Sequence, residues 1–387
     1  MPTISPTCIR LNQWRKQGYL DQKFKDFYEV TKNAIGLHST DYWTPYLSVW
    51  SRIGDYDAKS VFEALNTGKR IVRSRAFRNT QHVVLIEDFV LITRALGPQL
   101  ERSMIPAPPI KKLEEPEREK LLNELLSAFE EGPMTMQGLK QALPHVGEMM
   151  RWLLLILMGR GQVIRTSATH ARSTIQMYDL TARWLPRFSL TDISEEDARA
   201  EILFKYIVSF GPVTLEDISW WLPCKKTEAK SHIESLDEKL IVVKMDGHTA
   251  YMSSDDYEMA TSIDESVRPG ITLTPYEDFF PKAYSHRHWY LSSQMKEIVF
   301  PRRPEHYWPP EMKPPPPGPP KGMNASGEMR PSIWVNGKVA GRWEIERDGH
   351  VSFGLVSKVS PDERMELEEK RDSLEEFLQS RLMPISQ

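Results

Sequence analysis

Five cations stand within ten residues: Lys69, Arg70, Arg73, Arg75 and Arg78. On a strand, alternation puts Arg73 and Arg75 on one face and Val72 and Ser74 on the other. Clustered guanidiniums match phosphate oxygens in pairs, so phosphate contact is the chemistry this spacing offers. A solvated strand face is the competing reading. No Walker loop, GxGxxG after a strand, HExxH, GxSxG or CxxC occurs anywhere in the chain. His286, His288 and His306 are close in sequence, yet nothing supplies a carboxylate or cysteine at ligand spacing, and no metal is expected. Cys8 and Cys224 are the two cysteines, too few for a disulfide framework or a cysteine-rich metal site. Trp220-Trp221 and Phe279-Phe280 have the faces to stack on bases, but packing within or between units is the plainer reading.

The elements that must position these residues show best in an internal repeat. Gly132-Pro133-Met134-Thr135 runs on to Leu139 and ends at Leu143-Pro144, and the same pattern returns from Gly211-Pro212-Val213-Thr214 through Ile218 to Leu222-Pro223. An amphipathic helix pattern precedes each copy, over 117–129 and 194–210, and another follows, over 147–159 and 227–240. Two short β segments close each unit, 162–166 with 174–178 and 241–245 with 249–252. Helix, turn, helix, helix and hairpin is the order of a winged helix. The threonine is placed to cap the second helix through its hydroxyl. Residues 1–100 read similarly: helical patterns over 11–20, 24–34, 46–52 and 58–66, a hairpin of 70–77 with 81–86, and a helix over 87–96.

From Gly270 short β segments take over, including 271–274 and 332–335, with turn signals at Asn336-Gly337 and Asp348-Gly349. The run Pro314 to Pro320 forces an extended loop, within residues 301–329. The expected fold class is α+β: three tandem winged helices (1–108, 109–190, 191–265), a small β-barrel-like domain (266–360) and an acidic terminal helix (361–387). That helix carries an apolar stripe of Met365, Leu367, Leu374, Phe377 and Leu378, expected to dock on the body.

The chain of 387 residues has a formal charge of −3, which by itself argues against a nucleic-acid partner. Its distribution reverses the argument. Residues 361–387 carry eight acids and four bases, while residues 1–102 carry fifteen bases and ten acids, a net of +5. The longest apolar run, Trp152 to Met158, has seven residues, against about 20 needed to span a bilayer. The first residues lack the apolar stretch of a secretory signal, so a cytoplasmic protein is expected.

Several segments together resemble the AlkZ/YcaQ-type DNA glycosylases, the winged-helix crosslink-repair family. Gly36-Leu37-His38-Ser39-Thr40-Asp41, Leu47-Ser48-Val49-Trp50-Ser51-Arg52-Ile53-Gly54, and Arg73 with Arg78-Asn79-Thr80-Gln81-His82-Val83-Val84 are similar to the family's GLQxQD, LSxWxRxG and RxxxxRGTxHLV patterns. Leu273-Thr274-Pro275-Tyr276-Glu277-Asp278 with Tyr284 and Arg287 resembles its LLPxxD…GYxDR segment, and Arg330 to Trp343 its RPTVLVDGxVVGxW hairpin. The likeness runs in order from about Leu11 to Glu376.

The resemblance implies three winged helices and a C-terminal barrel around a DNA-sized channel. It implies cleavage of N-glycosidic bonds of alkylated purines, including N7-guanine adducts and interstrand crosslinks, in double-stranded DNA. The family's catalytic QxQ pair falls on His38 and Thr40, and neither glutamine is kept. A neutral His38 could hold water and accept its proton, Thr40 could add a hydrogen bond, and Asp41 could orient His38 or offset charge on the sugar. A lost site, or a helix cap built from Ser39, Thr40 and Asp41, is the other reading. The expected DNA contacts are Lys69, Arg70, Arg73, Arg75, Arg78 and Arg287. No metal or organic cofactor, no membrane and no obligate protein partner is called for, and a monomer suffices. Two further functions stay open: a non-catalytic winged-helix DNA-binding protein, and an interaction scaffold using the proline loop and acidic helix.

Overall fold

The computed structural model describes residues 4–20, 24–41, 43–66, 70–166, 176–187, 189–190, 192–222, 224–300, 328–346 and 349–383. Lys69, His306 and the proline run lie outside them. The chain opens with α1 (Pro6–Lys16), α2 (Phe27–Ala34), β1 (Leu37–His38), α3 (Thr44–Ile53), α4 (Ala58–Asn66), β2 (Ile71–Arg75), β3 (Gln81–Leu85) and α5 (Ile86–Met104). Asp26 caps α2 by accepting from the Glu29 amide at 2.9 Å. Helix α5 extends well past the expected residue 96, through Pro98. A middle unit follows with α6 (Glu115–Ala128), β4 (Met134–Thr135), α7 (Met136–Ala142), α8 (Met150–Gly159), β5 (Val163–Thr166), β6 (Met177–Leu180) and α9 (Thr181–Trp184).

The third unit repeats this order with α10 (Glu195–Phe210), β7 (Val213–Thr214), α11 (Leu215–Trp221), α12 (Lys226–Glu234), β8 (Leu240–Met245), β9 (His248–Ser253) and α13 (Ser254–Thr261). The repeated threonines do cap: Thr135 accepts from the Gly138 amide at 3.0 Å, and Thr214 forms a reciprocal capping box with Asp217. The remainder is β10 (Ile271–Thr274), α14 (Phe279–Lys282), α15 (Ser293–Val299), β11 (Ser332–Val335), β12 (Lys338–Ile345), β13 (Val351–Leu355) and α16 (Pro361–Phe377).

Helix and sheet are thus mixed throughout, with three sheets among the described residues. The largest has the order β1-β3-β2-β5-β6-β4 and runs through the expected boundary near residue 108. The join is one antiparallel pair, Arg73 opposite Arg165. The C-terminal sheet, β10-β11-β12-β13, is an open antiparallel sheet of four strands, so the expected barrel does not close. Strand alternation in the sequence specifies strands but not closure, which depends on pairing between distant edges. One large core joins the first unit, the third unit and the C-terminal sheet, while the middle unit keeps its own core around Leu122, Leu125, Phe129, Leu153 and Leu157.

Helix α16 packs against β10 and β13 with Leu367 and Leu374 buried, and its Phe377 meets the first unit, stacking on Tyr56 at 5.1 Å, whereas Met365 of the expected stripe is 59% exposed. Its carboxylates serve the sheet directly: Glu366 accepts from the Ile271 amide at 2.8 Å and Glu375 from the Val351 amide at 2.6 Å. The tail's negative charge is therefore partly spent on edge amides.

The middle unit is clamped to the first where α5 crosses α8. A Cβ added at Gly97 would stand 2.5 Å from the Gly159 carbonyl oxygen, backbone that cannot swing aside. Gly97→Ala should lower stability by about 1–3 kcal/mol through overpacking, read as a lower midpoint in urea unfolding. An unchanged midpoint would contradict this close crossing.

Candidate active site

His38 sits at the end of a two-residue strand that leaves α2 through a tight turn. Ile35 and Gly36 both have positive φ, 56° and 131°. Gly36 has no alternative, since a Cβ there would meet Val84 Cγ1 at 2.7 Å. β1 then pairs with β3 so that His38 faces His82, their ring centroids 5.5 Å apart. The Ser39 amide continues the pairing to the Gln81 carbonyl at 2.8 Å. Asp41 ends the strand: its Oδ1 accepts from the amides of Trp43 at 2.7 Å and Thr44 at 3.0 Å, starting α3.

The other wall comes from the C-terminal half. Arg52, on α3, makes a two-pronged pair with Asp278 at 2.9 and 3.0 Å, and neither side chain has any exposed area. The Arg52 guanidinium also lies 3.8 Å from the Phe279 ring centroid. With Asp278 held there, the preceding residue, Glu277, is delivered to His38. Its Oε2 is 3.4 Å from His38 Nε2. Lys282 Nζ donates to Glu277 Oε1 at 3.0 Å and stands 2.8 Å from Oε2, and the Met329 amide donates to Oε1 at 2.5 Å. Glu277 has φ +54°, in the left-handed region, a backbone cost of about 1–3 kcal/mol for a residue with a side chain. Thr40 Oγ1 lies 3.3 Å from His38 Nε2, and Thr40 is exposed while His38 and Glu277 are buried. Thr40 is the side from which solvent meets the cluster.

Burial, with Lys282 and Arg78 nearby, pushes His38 down to about 3, and burial with the adjacent His38 pushes His82 down to about 3. Both imidazoles are neutral at pH 7. A carboxylate only accepts, so the Glu277 side of His38 calls for the proton on Nε2. His38 Nδ1 is then the bare nitrogen, buried and without a hydrogen-bond partner among the described residues. With the proton on Nε2, that edge is a donor toward Glu277 and Thr40. Asp41 is engaged in the helix start and has no hydrogen bond to His38 among the described residues.

The expected DNA contacts separate into two groups. Ser74 pairs with His82 and His82 with His38, so those three share a face of the sheet, while Arg73 and Arg75 lie on the other. Arg165, opposite Arg73, and Tyr178, opposite Arg165, join that second face. Burial lowers Arg75 to about 10, with Arg151 adding repulsion, and lowers Arg165 to about 10, with Arg73 adding repulsion. Arg75 is tied to Asn79 by a 2.6 Å bond. Arg70 is exposed, over the Tyr28 ring at 4.0 Å. Arg78 and Arg287 belong with the His38 group: Arg78 lies 3.6 Å and Arg287 5.3 Å from the Trp220 centroid. Arg287 is buried, with Nε and Nη2 lacking partners among the described residues.

Trp221 is core, stacked on Phe77 at 3.8 Å and Tyr206 at 4.4 Å. His286 and His288 do come together, with His248, at ring distances of 4.8–5.9 Å. No cluster that could hold a metal ion occurs among the described residues. Sequence reasoning missed Glu277, Lys282, His82, Arg151 and Arg165. Glu277 stood inside a quoted motif, and nothing local announced that it would meet His38.

Comparison with known proteins bears on the family and the fold. A family model described as "DNA glycosylase AlkZ-like" matches residues 32–377. No curated protein matches. Among solved structures, Streptomyces sahachiroi DNA glycosylase AlkZ superposes with a TM-score of 0.78 at 16% identity, covering 100% of this chain and 98% of that one. That likeness concerns the fold; the family match spans most of the sequence. The chain belongs to the AlkZ-like DNA glycosylase family.

Proposed function

We propose that this protein is a monofunctional DNA glycosylase that hydrolyses the N-glycosidic bond of alkylated purines, N7-alkylguanines first, with no cofactor. The observation that carries this reading is the donor edge at His38 and Thr40, the two positions onto which the family's catalytic pair falls. An N7-alkylguanine is already cationic. When C1′–N9 breaks, its electron pair stays on N9, the base leaves neutral, and a sugar cation remains for water to attack. The site must hold that water and tolerate the cation, and needs no strong acid. His38 Nε2 lies between Glu277 Oε2 at 3.4 Å and the Thr40 hydroxyl at 3.3 Å, and the Thr40 hydroxyl orients the water. Access from the Thr40 side, with no closed pocket required, also suits adducts too bulky or tethered to flip, including crosslinks.

The architecture supporting this is three tandem winged helices and a C-terminal sheet domain. Arg78 and Arg287 line the reaction side. Arg73, Arg75, Arg151 and Arg165 form a cationic face with no ion pair to a carboxylate among the described residues. Like charges directly opposite in a sheet are unfavourable, and DNA phosphates are the partner that relieves them. This face sets affinity, and the His38 face sets rate.

The test is a duplex carrying one N7-methylguanine, incubated with enzyme in excess and then heated in alkali. Strand breaks at the adduct are expected. Binding without breaks would overturn the glycosylase reading in favour of a DNA-binding protein without catalysis. His38→Ala should slow the single-turnover step by about 10²-fold, Thr40→Ala less, and His38→Gln less than His38→Ala, because an amide also donates. Affinity should fall steeply with salt, and Arg165→Ala should flatten the log–log slope by about one unit. A salt-independent affinity would contradict phosphate contact.

The depressed His38 and His82 values also tie stability to pH. Between about 3 and the ordinary 6.5, the unfolded chain binds protons that the folded one refuses. Stability therefore rises with pH across that window and is lost as pH falls through it. The urea midpoint should drop from neutral pH to about 4.5, and drop less in His38→Gln. Equal drops in the two proteins would contradict a neutral buried His38.

A further inference from the structure

We infer that Glu277 is a catalytic residue: its carboxylate takes the proton of the attacking water and faces the positive sugar. This rests on the glycosylase reading above and names the group that performs its proton transfer. Three observations converge on it. The Nε2–H edge of His38 is a donor, so the proton acceptor must come from another residue, and the Glu277 carboxylate is 3.4 Å from that edge. Its backbone is held at φ +54°, a conformation that a turn without a positional demand would give to glycine or asparagine. The carboxylate is buried, and away from water a fixed negative charge acts more strongly on a developing positive one than it would in solvent.

The groups facing Glu277 come from every element around it: His38 from β1, His82 from β3, Arg78 from the turn between β2 and β3, Tyr276 beside it and Lys282 from α14, with Arg287 beyond. Lys282 Nζ reaches both carboxylate oxygens, Oε1 at 3.0 Å and Oε2 at 2.8 Å, and the Met329 amide holds Oε1, which fixes the carboxylate's rotation with Oε2 also 3.4 Å from His38 Nε2. The carboxylate thus meets the histidine that stands at the first position of the pair.

The step balances simply. C1′–N9 breaks with its electrons going to the departing base, the water oxygen bonds C1′, and one water proton moves to Glu277. The protonated carboxyl then loses that proton to solvent past Thr40.

The experiment compares wild type with Glu277→Gln on the N7-methylguanine duplex under single-turnover conditions. The glutamine keeps the shape but neither accepts a proton nor carries charge. A fall of about 10²–10³-fold is expected, with affinity for undamaged duplex unchanged. If Glu277→Gln does not fold, Glu277→Ala with added formate replaces it, and a rate restored by formate supports the same role. A Gln variant within a few-fold of an active wild type, or an Ala variant that folds and ignores formate, overturns the role of Glu277 and leaves the glycosylase activity standing. An inactive wild type overturns both.

Discussion

The buried pair between Arg52 and Asp278 is the constraint on which the site depends. Removing one partner of such a pair costs about 3–5 kcal/mol, although a well-packed apolar pair would often stabilise as well or better. Its value here is positional. Arg52 lies on α3, the helix that begins at Thr44, four residues after Thr40. Asp278 directly follows Glu277 and also caps α14, from which Lys282 projects. One ion pair therefore ties the donor edge, the carboxylate and its lysine into a single frame, drawn from segments 226 residues apart.

That frame divides the large sheet into two working faces. One carries His38, His82 and Ser74 against the Glu277 turn. The other carries Arg73, Arg75 and Arg165, with Arg151 nearby. The join at Arg73 and Arg165 sets guanidiniums opposite each other, which folding alone would avoid. The tail's acids, which mask the basic character of the first third in the overall charge, are drawn into the C-terminal sheet. The net charge of the chain says little about what either face binds.

Much of the fold was legible because it is local. Thr135 and Thr214 announced their helices by side-chain chemistry within three residues, and the arginine hairpin announced itself by alternation. Helix α5 outran its expected end at residue 96 and runs through Pro98, because packing of Gly97 on α8 outweighs the breaker. A barrel was expected where the sheet is open because alternation is blind to sheet edges. The site was half legible: His38 and Thr40 stood in one segment, and Arg52 and Asp278 each stood in a motif, but nothing local pairs them. Glu277 was passed over since its partner is distant in sequence, and Asp41 looked available until its carboxylate met the amides that begin α3.

The most direct measurement is a crystal structure of the protein with duplex DNA in which a cationic azasugar replaces the damaged nucleotide, mimicking the charged sugar left when the base departs. The account places the ring nitrogen against the Glu277 carboxylate, with a water held by Thr40 and the His38–Glu277 contact intact. A sugar bound on the Arg73 face, or one bound near His38 with Glu277 turned away toward Lys282 alone, would contradict it.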